Sequence, residues 1–239
     1  MSSIIPLPQV PLILALDTSS SLGSIALAHG PELLLSRAFE ADHGHSQRLL
    51  PALEALFEAA GRTPAEVDLF AAVIGPGSFT GLRVSLASVR GLAGARPCFG
   101  ALATDVAAWA VRGKASRVLA LTDLFHGEVF GSVHDEAGAL ISGREAGELG
   151  AVLSTLRPTL GEGPRVAAGS AAIRHRAEIG AALSGIDFAT IDEGLAPHLA
   201  GLAAVRADES TTVPSGELLP FYLRDPLTRG LLSSPPKPR

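Results

Sequence analysis

Cysteine is nearly absent from this chain, and so are long apolar runs. Cys98 is the only cysteine, so no disulfide can form within the chain, which favours a reducing compartment. No apolar run approaches the ~20 residues that span a membrane. The amino-terminal stretch has no basic residue, and its apolar part ends at Asp17; it therefore does not fit a secretory signal. We expect a cytoplasmic protein.

Lysine is scarce as well. Lys114 and Lys237 are the only lysines, and the net charge is −5. Few positions are therefore available for a catalytic lysine or for the lysine of a P-loop. A mildly acidic chain is poorly suited to bind a nucleic-acid backbone by itself, because that affinity comes from cations that neutralise phosphates. We expect any contact with RNA to be made mainly by partner chains.

The arrangement of apolar residues predicts an α/β protein. The 239 residues are 47% apolar and 18% charged, enough to bury a core in one large domain or two ordinary ones. Short apolar runs predict three strands at the start, the first being "LILALD". Helical spacing then predicts helices over 46–60 and 79–92, with the strand "LFAAVIG" between them. From about Arg117 a similar order restarts, which predicts two halves of similar plan: two strands, "RVLALTD" and "GEVFGSVHD", are followed by helices alternating with strands, the first helix being "AGELGAVLSTL".

A glycine-rich stretch, "GPGSFTG" at 75–81, separates a predicted strand from a predicted helix. Such a turn at a helix N-terminus is suited to bind a phosphate. The spacing fits neither G-x-x-x-x-G-K-[ST] nor G-x-G-x-x-G, however. Two alternatives stay open: Gly75, Gly77 and Gly81 contact a phosphate, or they allow a structural turn. For Ser78 an N-cap or turn role is favoured over that of a nucleophile, because no G-x-S-x-G elbow is present.

Carboxylates and histidines provide the other candidates. Asp17 and Asp123 each end a predicted strand, where a carboxylate either holds a metal or metal-bound phosphate or begins an Asx turn. His43 and His45 are two residues apart, which does not fit a metal pair on one helix face. No two of the seven histidines form an H-x-x-x-H pair. We predict no metal site in this chain.

The predicted helix 46–60 carries apolar residues over a broad arc. One side of it must cover the sheet. The other side is either more core or a surface for a partner helix. The pattern alone does not separate these alternatives, because helical spacing does not show what covers each face.

Four segments resemble, in this order, the bacterial TsaB (YeaZ) family: "LALDTSSSLGSIAL", "HSQRLLPALEALF", "VIGPGSFTGLRVSLASVRGLA" and "LPFYLR". The most specific of them is "IGPGSFTGLR". The resemblance implies an α/β actin-like ATPase (ASKHA) fold of two RNase H-like domains with mixed sheets. It implies an N-terminal domain at 11–102 with a return at about 207–226, and a second domain at 103–206. We expect residues 227–239 to form a disordered tail.

The resemblance also implies a role in making N6-threonylcarbamoyladenosine at position 37 of ANN-decoding tRNAs. In that system a TsaD-type paralogue performs the transfer with a histidine-bound metal, and a TsaE-type ATPase joins the complex. The catalytic paralogue has an H-x-x-x-H pair on the helix after the glycine-loop helix. The matching region here, "ALATDVAAWAV", has no histidine. This implies a non-catalytic scaffolding subunit that needs no cofactor of its own, with ATP and Mg²⁺ acting at the level of the complex.

The same resemblance implies that the helices 46–60 and 79–92 form the interface with the TsaD-like partner, or with a second copy in a homodimer. The residues implied to make contact are Leu49, Leu53, Phe57, Leu82, Leu86 and Ala87. In "LTDLFHGEVF", Leu124 and Phe125 replace the Ala-Arg pair usual in the family, which leaves no clear role for Asp123.

Two other functions stay open at this point. One is an actin-fold small-molecule kinase or ATPase, in which Asp17, Gly75, Gly77 and Gly81 hold Mg²⁺ and phosphates. The other is an M22-like peptidase, for which the sequence supplies neither a set of zinc ligands nor a supported nucleophile.

Overall fold

The first strand, β1 (Leu12–Asp17), is buried along its whole length. A continuous apolar run of this kind fits a strand that is covered on both faces. β1 pairs antiparallel with β2 (Leu22–His29) and parallel with β4 (Leu69–Gly75). This computed structural model describes residues 6–40, 44–124 and 127–223.

β1 and β4 are the inner strands of a six-stranded mixed sheet with the order β11-β5-β4-β1-β2-β3. Its other strands are β3 (Glu32–Glu40), β5 (Cys98–Leu102) and β11 (Thr212–Val213). The parallel neighbours β1 and β4 end at the same edge of the sheet. Asp17 and the glycine-rich loop, which follow these two ends, therefore lie side by side.

Helices cover both faces of this sheet. α1 (His45–Ala60) and α2 (Phe79–Ala93) pack their apolar stripes against one face, which includes Leu14 and Leu16 of β1. α7 (Ala196–Arg206) packs on β1, β2 and β4 without belonging to that cluster. Because side chains alternate along a strand, α7 covers the opposite face.

A second unit, 103–192, contains a five-stranded sheet with the order β10-β9-β6-β7-β8. Val118 and Ala120 of its central strand pack on one side with α3, while Leu119 and Leu121 pack on the other with α4, α5 and α6. The elements of this second unit are α3 (Ala103–Ala110), β6 (Arg117–Asp123), β7 (Glu128–Asp135), β8 (Leu140–Glu148), α4 (Leu149–Leu160), β9 (Arg165–Ala168), α5 (Ser170–Arg174), α6 (Arg176–Ala182) and β10 (Asp187–Ala189).

No helix in the described segments is both long and apolar enough to cross a membrane.

The two sheets share one topology. Counted along the chain within each unit, the first five strands have the spatial order 3-2-1-4-5. In both units strands 1, 2 and 3 are antiparallel neighbours, and strands 1, 4 and 5 are parallel neighbours. The two mixed α/β halves predicted from the sequence are confirmed.

The structure places α7 differently from the sequence prediction. The chain divides into 1–102 with 193–239, and 103–192, whereas residues up to 206 were expected in the second domain. The physical reason is that α7 buries its apolar side on the first sheet. The chain therefore returns to the first unit before this helix begins.

The third strand of the second unit, β8, was not predicted. Its pairing with β7 shifts register between Gly131 and Ser132 and again between Val133 and His134. Each irregularity interrupts the two-residue alternation by which a strand is recognised. The segment "AGELG" was consequently assigned to a helix, whereas α4 begins at Leu149.

The N-terminus of α7 is capped from a distant strand. Ser24 of β2 is buried, and its Oγ accepts a hydrogen bond of 3.0 Å from the Ala196 N–H. Leu195, the residue at the N-cap position, has no side-chain cap to offer. This contact joins segments 172 residues apart.

Replacing Ser24 with alanine should therefore destabilise the first unit. The lost cap should lower the free energy of unfolding by about 1 kcal/mol, as measured by urea denaturation. Ser36→Ala, on exposed β3, is the control and should change it by less than about 0.5 kcal/mol. Equal losses for both variants would contradict the capping role.

Candidate functional site

Asp17 ends β1 and is fully buried. Its Oδ1 accepts a 2.8 Å hydrogen bond from the Ser19 N–H, which is the Asx turn that the sequence allowed. Its Oδ2 is buried and has no hydrogen-bond partner. Burial raises the pKa of this carboxyl. Hydrogen bonds from Ser19 and the electrostatic effect of the nearby His45 oppose the rise. Asp17 is thus a candidate ligand-binding group at the end of the central strand.

The chain itself approaches each of the three loop glycines. A Cβ added at Gly81 would overlap the carbonyl oxygen of Thr18, and one added at Gly77 would overlap that of Ser19. Gly75 has a φ of +133°, and a Cβ there would lie 2.7 Å from the carbonyl oxygen of Phe221. Glycine is therefore required for packing and backbone conformation at these positions.

Hydrogen bonds close the glycine loop onto the turn after β1. The Ser78 N–H donates to the Ser19 carbonyl at 2.7 Å, and the Thr18 hydroxyl donates to the Gly81 carbonyl at 2.6 Å. The turn thus fills the space beside Gly77 and Gly81, so direct contact of a phosphate with these two glycines does not fit the structure. Ser78 is the N-cap of α2, as predicted: its Oγ accepts from the Gly81 N–H at 3.2 Å.

His45 joins the start of α1 to the same turn. It is 8% exposed, and its Nε2 lies 2.7 Å from the Ser20 carbonyl oxygen. Nε2 therefore carries a proton and donates it, and Nδ1 is buried without a hydrogen-bond partner. His43 lies outside the described residues. Within those residues no group of three His, Cys, Asp or Glu side chains could hold a metal.

Asp123 lies in the second unit and is engaged by its neighbours. Its Oδ1 is 3.3 Å from Arg174 Nη1 and 3.9 Å from His175 Nε2, and its N–H donates to the Ser170 Oγ. These contacts tie the end of β6 to both ends of α5. They give Asp123 a structural role, and Phe125 of the altered hairpin lies outside the described residues.

A serine, a histidine and an aspartate also meet inside the second unit, but not as a catalytic triad. Ser132 Oγ lies 2.9 Å from His134 Nε2, and Asp105 Oδ1 lies 3.7 Å from that same nitrogen. A triad needs the carboxylate on the other ring nitrogen, where the Gly138 carbonyl lies at 3.4 Å. Ser132 and His134 are fully buried. This geometry does not support a hydrolytic nucleophile.

Five of the six residues predicted for the partner interface lie in the core instead. Their exposed fractions do not exceed 6%, and most of them pack in the cluster beneath α1 and α2. Burial against the sheet already satisfies these side chains, so they do not form a surface. The corrected residues are Leu49, Leu53, Phe57, Leu82 and Leu86, whereas Ala87 is exposed as an interface requires.

The outward sides of α1 and α2 carry a different set of residues, which we call the helical face. On α1 this face combines the apolar Leu50, which is 58% exposed, with acidic side chains. On α2 it combines small and basic side chains. The helical periodicity of the sequence indicates these residues once the apolar stripe is assigned to the sheet, because they lie on the opposite side of each helix. The helical face consists of Leu50, Glu54, Glu58, Thr80, Arg83, Ala87, Arg90 and Gly91.

Comparison with known proteins points to one family. A family model described as "TsaD: tRNA N6-adenosine threonylcarbamoyltransferase" matches residues 39–131. The tRNA threonylcarbamoyladenosine biosynthesis protein TsaB of Escherichia coli (strain K12) is 36% identical over 124 residues, which are 49% of this chain and 52% of that protein. YeaZ from Pseudomonas aeruginosa matches with a TM-score of 0.72 and 28% identity over 89% of this chain and 100% of that one. These matches support the resemblance of the chain to the TsaB (YeaZ) family.

More distant structures share the fold of this chain. The (R)-2-hydroxyglutaryl-CoA dehydratase component A of Acidaminococcus fermentans matches over 81% of this chain and 96% of that chain, with a TM-score of 0.50 and 12% identity. The duplicated sheet and these matches confirm the actin-like ATPase fold. The chain spans only 52% and 34% of the lengths of the first two curated relatives that it matches.

Two glycines of α2 offer a matched test of the packing of the loop. Gly81→Ala should lower the free energy of unfolding by about 3 kcal/mol, because the Cβ meets the Thr18 carbonyl. Gly91 has open space around it, so Gly91→Ala should raise the free energy of unfolding by up to about 1 kcal/mol through better helix propensity. Chemical denaturation measures both. A Gly81→Ala variant as stable as the wild type would refute the close packing.

Asp17 should make stability depend on pH. Its pKa is higher in the folded chain than in the unfolded chain, so the folded state binds the proton more tightly. The resulting stabilisation is fully present below the unfolded pKa and is lost as pH rises through the folded pKa. Asp17→Asn should therefore gain stability relative to the wild type as pH rises from 4 to 8, in melts followed by circular dichroism. A difference that stays constant with pH would refute this assignment.

Proposed function

We propose that this chain is a non-catalytic scaffolding and activating subunit in the formation of N6-threonylcarbamoyladenosine at position 37 of ANN-decoding tRNAs. The observation that carries the proposal is the likeness to TsaB of Escherichia coli and to YeaZ of Pseudomonas aeruginosa. The segment 101–111 has no histidine, so the metal pair expected of the catalytic paralogue is missing from its place. A transfer activated by a metal requires such ligands.

The chain acts by dimerising with a TsaD-like paralogue through the helical face. Ala87 and Gly91 let a partner helix approach α2 closely, and the exposed Leu50 adds an apolar contact on α1. Two helices docked on two others bury about 1,200–2,000 Å², which suffices for a stable, specific complex. A second copy of the chain competes for this face when the partner is absent.

Other components join through the complex rather than through this chain. A TsaE-like ATPase binds the assembled pair, and ATP with Mg²⁺ acts at that level. The net charge of −5 leaves tRNA contacts mainly to the partners.

An actin-fold kinase or ATPase is the second candidate, and one observation favours it. The buried Oδ2 of Asp17 has no partner, as expected of a carboxylate that awaits a ligand. The closed packing of Gly77 and Gly81 opposes it. Micromolar binding of ATP with Mg²⁺, accompanied by turnover in the isolated chain, would favour this candidate over the scaffold.

Reconstitution tests the proposed function. Purified TsaD-like and TsaE-like proteins with threonylcarbamoyl-adenylate and tRNA should modify the tRNA at least about tenfold more slowly when this chain is left out. Nucleoside analysis of the tRNA by mass spectrometry measures the rate. Modification at the full rate without this chain would refute the proposal.

Variants of the helical face should separate docking from folding. Ala87→Trp places a bulky ring where a partner helix approaches, so it should abolish co-purification with the TsaD-like protein while leaving the melting temperature almost unchanged. Leu53→Asp cannot serve this purpose, because Leu53 is 4% exposed and a buried charge would unfold the chain. Ala38→Trp on exposed β3 lies outside the helical face, so this control variant should co-purify like the wild type.

A further inference from the structure

Arg83 on the helical face is held by two aromatic side chains. Its Cζ lies 3.8 Å from the centroid of the Phe79 ring, and its Nε donates to the Tyr222 hydroxyl at 3.3 Å. The Phe79 and Tyr222 rings lie 5.3 Å apart, with 33° between their planes. Phe79 is one turn before Arg83 on α2, and Tyr222 comes from the carboxy-terminal segment, so two side chains from two segments fix one guanidinium.

This arrangement prepares Arg83 to receive an anion. A guanidinium has five N–H donors in a rigid fork, and Tyr222 uses only the Nε donor. The side chain is exposed, which leaves its two Nη groups available to a carboxylate in the bidentate geometry. Stacking on Phe79 lowers the entropy that Arg83 would lose on binding, so a contact here gives more affinity than one to a mobile arginine.

The charges around Arg83 favour a protein carboxylate over an RNA phosphate. α2 contains no acidic residue, and its other exposed arginine, Arg90, already donates to the Leu218 carbonyl at 2.6 Å. The adjacent helix α1 exposes Arg48 as well as Glu54 and Glu58, and the two glutamates would repel the continuous negative charge of an RNA backbone. A protein partner carries discrete charges and can place one carboxylate opposite Arg83.

We propose that Arg83, fixed between Phe79 and Tyr222, is the anchor of the partner interface and binds an aspartate or glutamate on the TsaD-like chain. Interface residues that dominate affinity are often arginine and tyrosine in well-packed surroundings. This inference rests on the proposed function, since it assumes that the TsaD-like chain docks on the helical face.

Affinity measurements with the full chain and the TsaD-like protein test the anchor. Arg83→Ala should weaken binding at least about tenfold in titration calorimetry. Arg83→Lys should keep the charge but lose the fork and most of the affinity, and Tyr222→Phe should weaken binding a few-fold by releasing Nε. Arg37→Ala on β3, exposed and equal in charge change, should bind like the wild type. Circular dichroism melts establish that each variant folds.

The outcomes distinguish the anchor from the surface. If Ala87→Trp abolishes binding but Arg83→Ala binds like the wild type, the docking surface stands and the anchor is wrong. If the wild-type chain does not bind the TsaD-like protein at all, the proposed function itself fails. Should Arg83→Ala retain affinity for the partner yet weaken binding of the assembled complex to tRNA, the anion is an RNA phosphate and the carboxylate assignment is overturned.

Discussion

Three consecutive residues of the turn after β1 hold together the elements that shape the first unit. The Thr18 hydroxyl and carbonyl meet Gly81 at the start of α2, and the Ser19 carbonyl accepts from the loop before α2. The Ser20 carbonyl accepts from His45 at the start of α1. Each contact satisfies a backbone group that would be costly to bury alone. The turn therefore sets where both helices begin relative to the central strand.

The helical face depends on this arrangement. A surface built from two helices binds a partner well only when the helices keep a constant relation, because any freedom between them would be lost on docking at a cost in affinity. The glycines at 77 and 81 permit the close approach on which this relation rests. Under the proposed function, the glycine-rich loop thus contributes to partner binding indirectly, by directing α2.

The fold alone does not decide between scaffold and enzyme, because one fold can carry many functions. The local chemistry is more informative. A loop of phosphate-binding appearance is closed by the chain's own turn, while Asp17 remains buried with one unpartnered oxygen. The helix that follows this loop, α2, carries Arg83, which is held in place on the helical face. This combination is what one expects when a nucleotide-binding architecture serves as a platform for another protein.

Much of the fold is visible in the sequence, since its elements are encoded by local patterns. Continuous apolar runs identified β1 and β4, helical spacing identified α1 and α2, and the short run "IGPGSFTGLR" pointed to the family. The strand β8 escaped notice because its bulges break the alternation that marks a strand.

The sequence by itself determined that α1 has an apolar side, but not what that side contacts. Burial against a sheet or against a partner would stabilise Leu49, Leu53 and Phe57 equally well, because the hydrophobic effect is non-directional. Only the tertiary structure showed that the sheet covers them. It alone also assigned α7 to the first unit and brought Tyr222 to Arg83, since these contacts join segments 172 and 139 residues apart. No local pattern encodes a contact over such a distance.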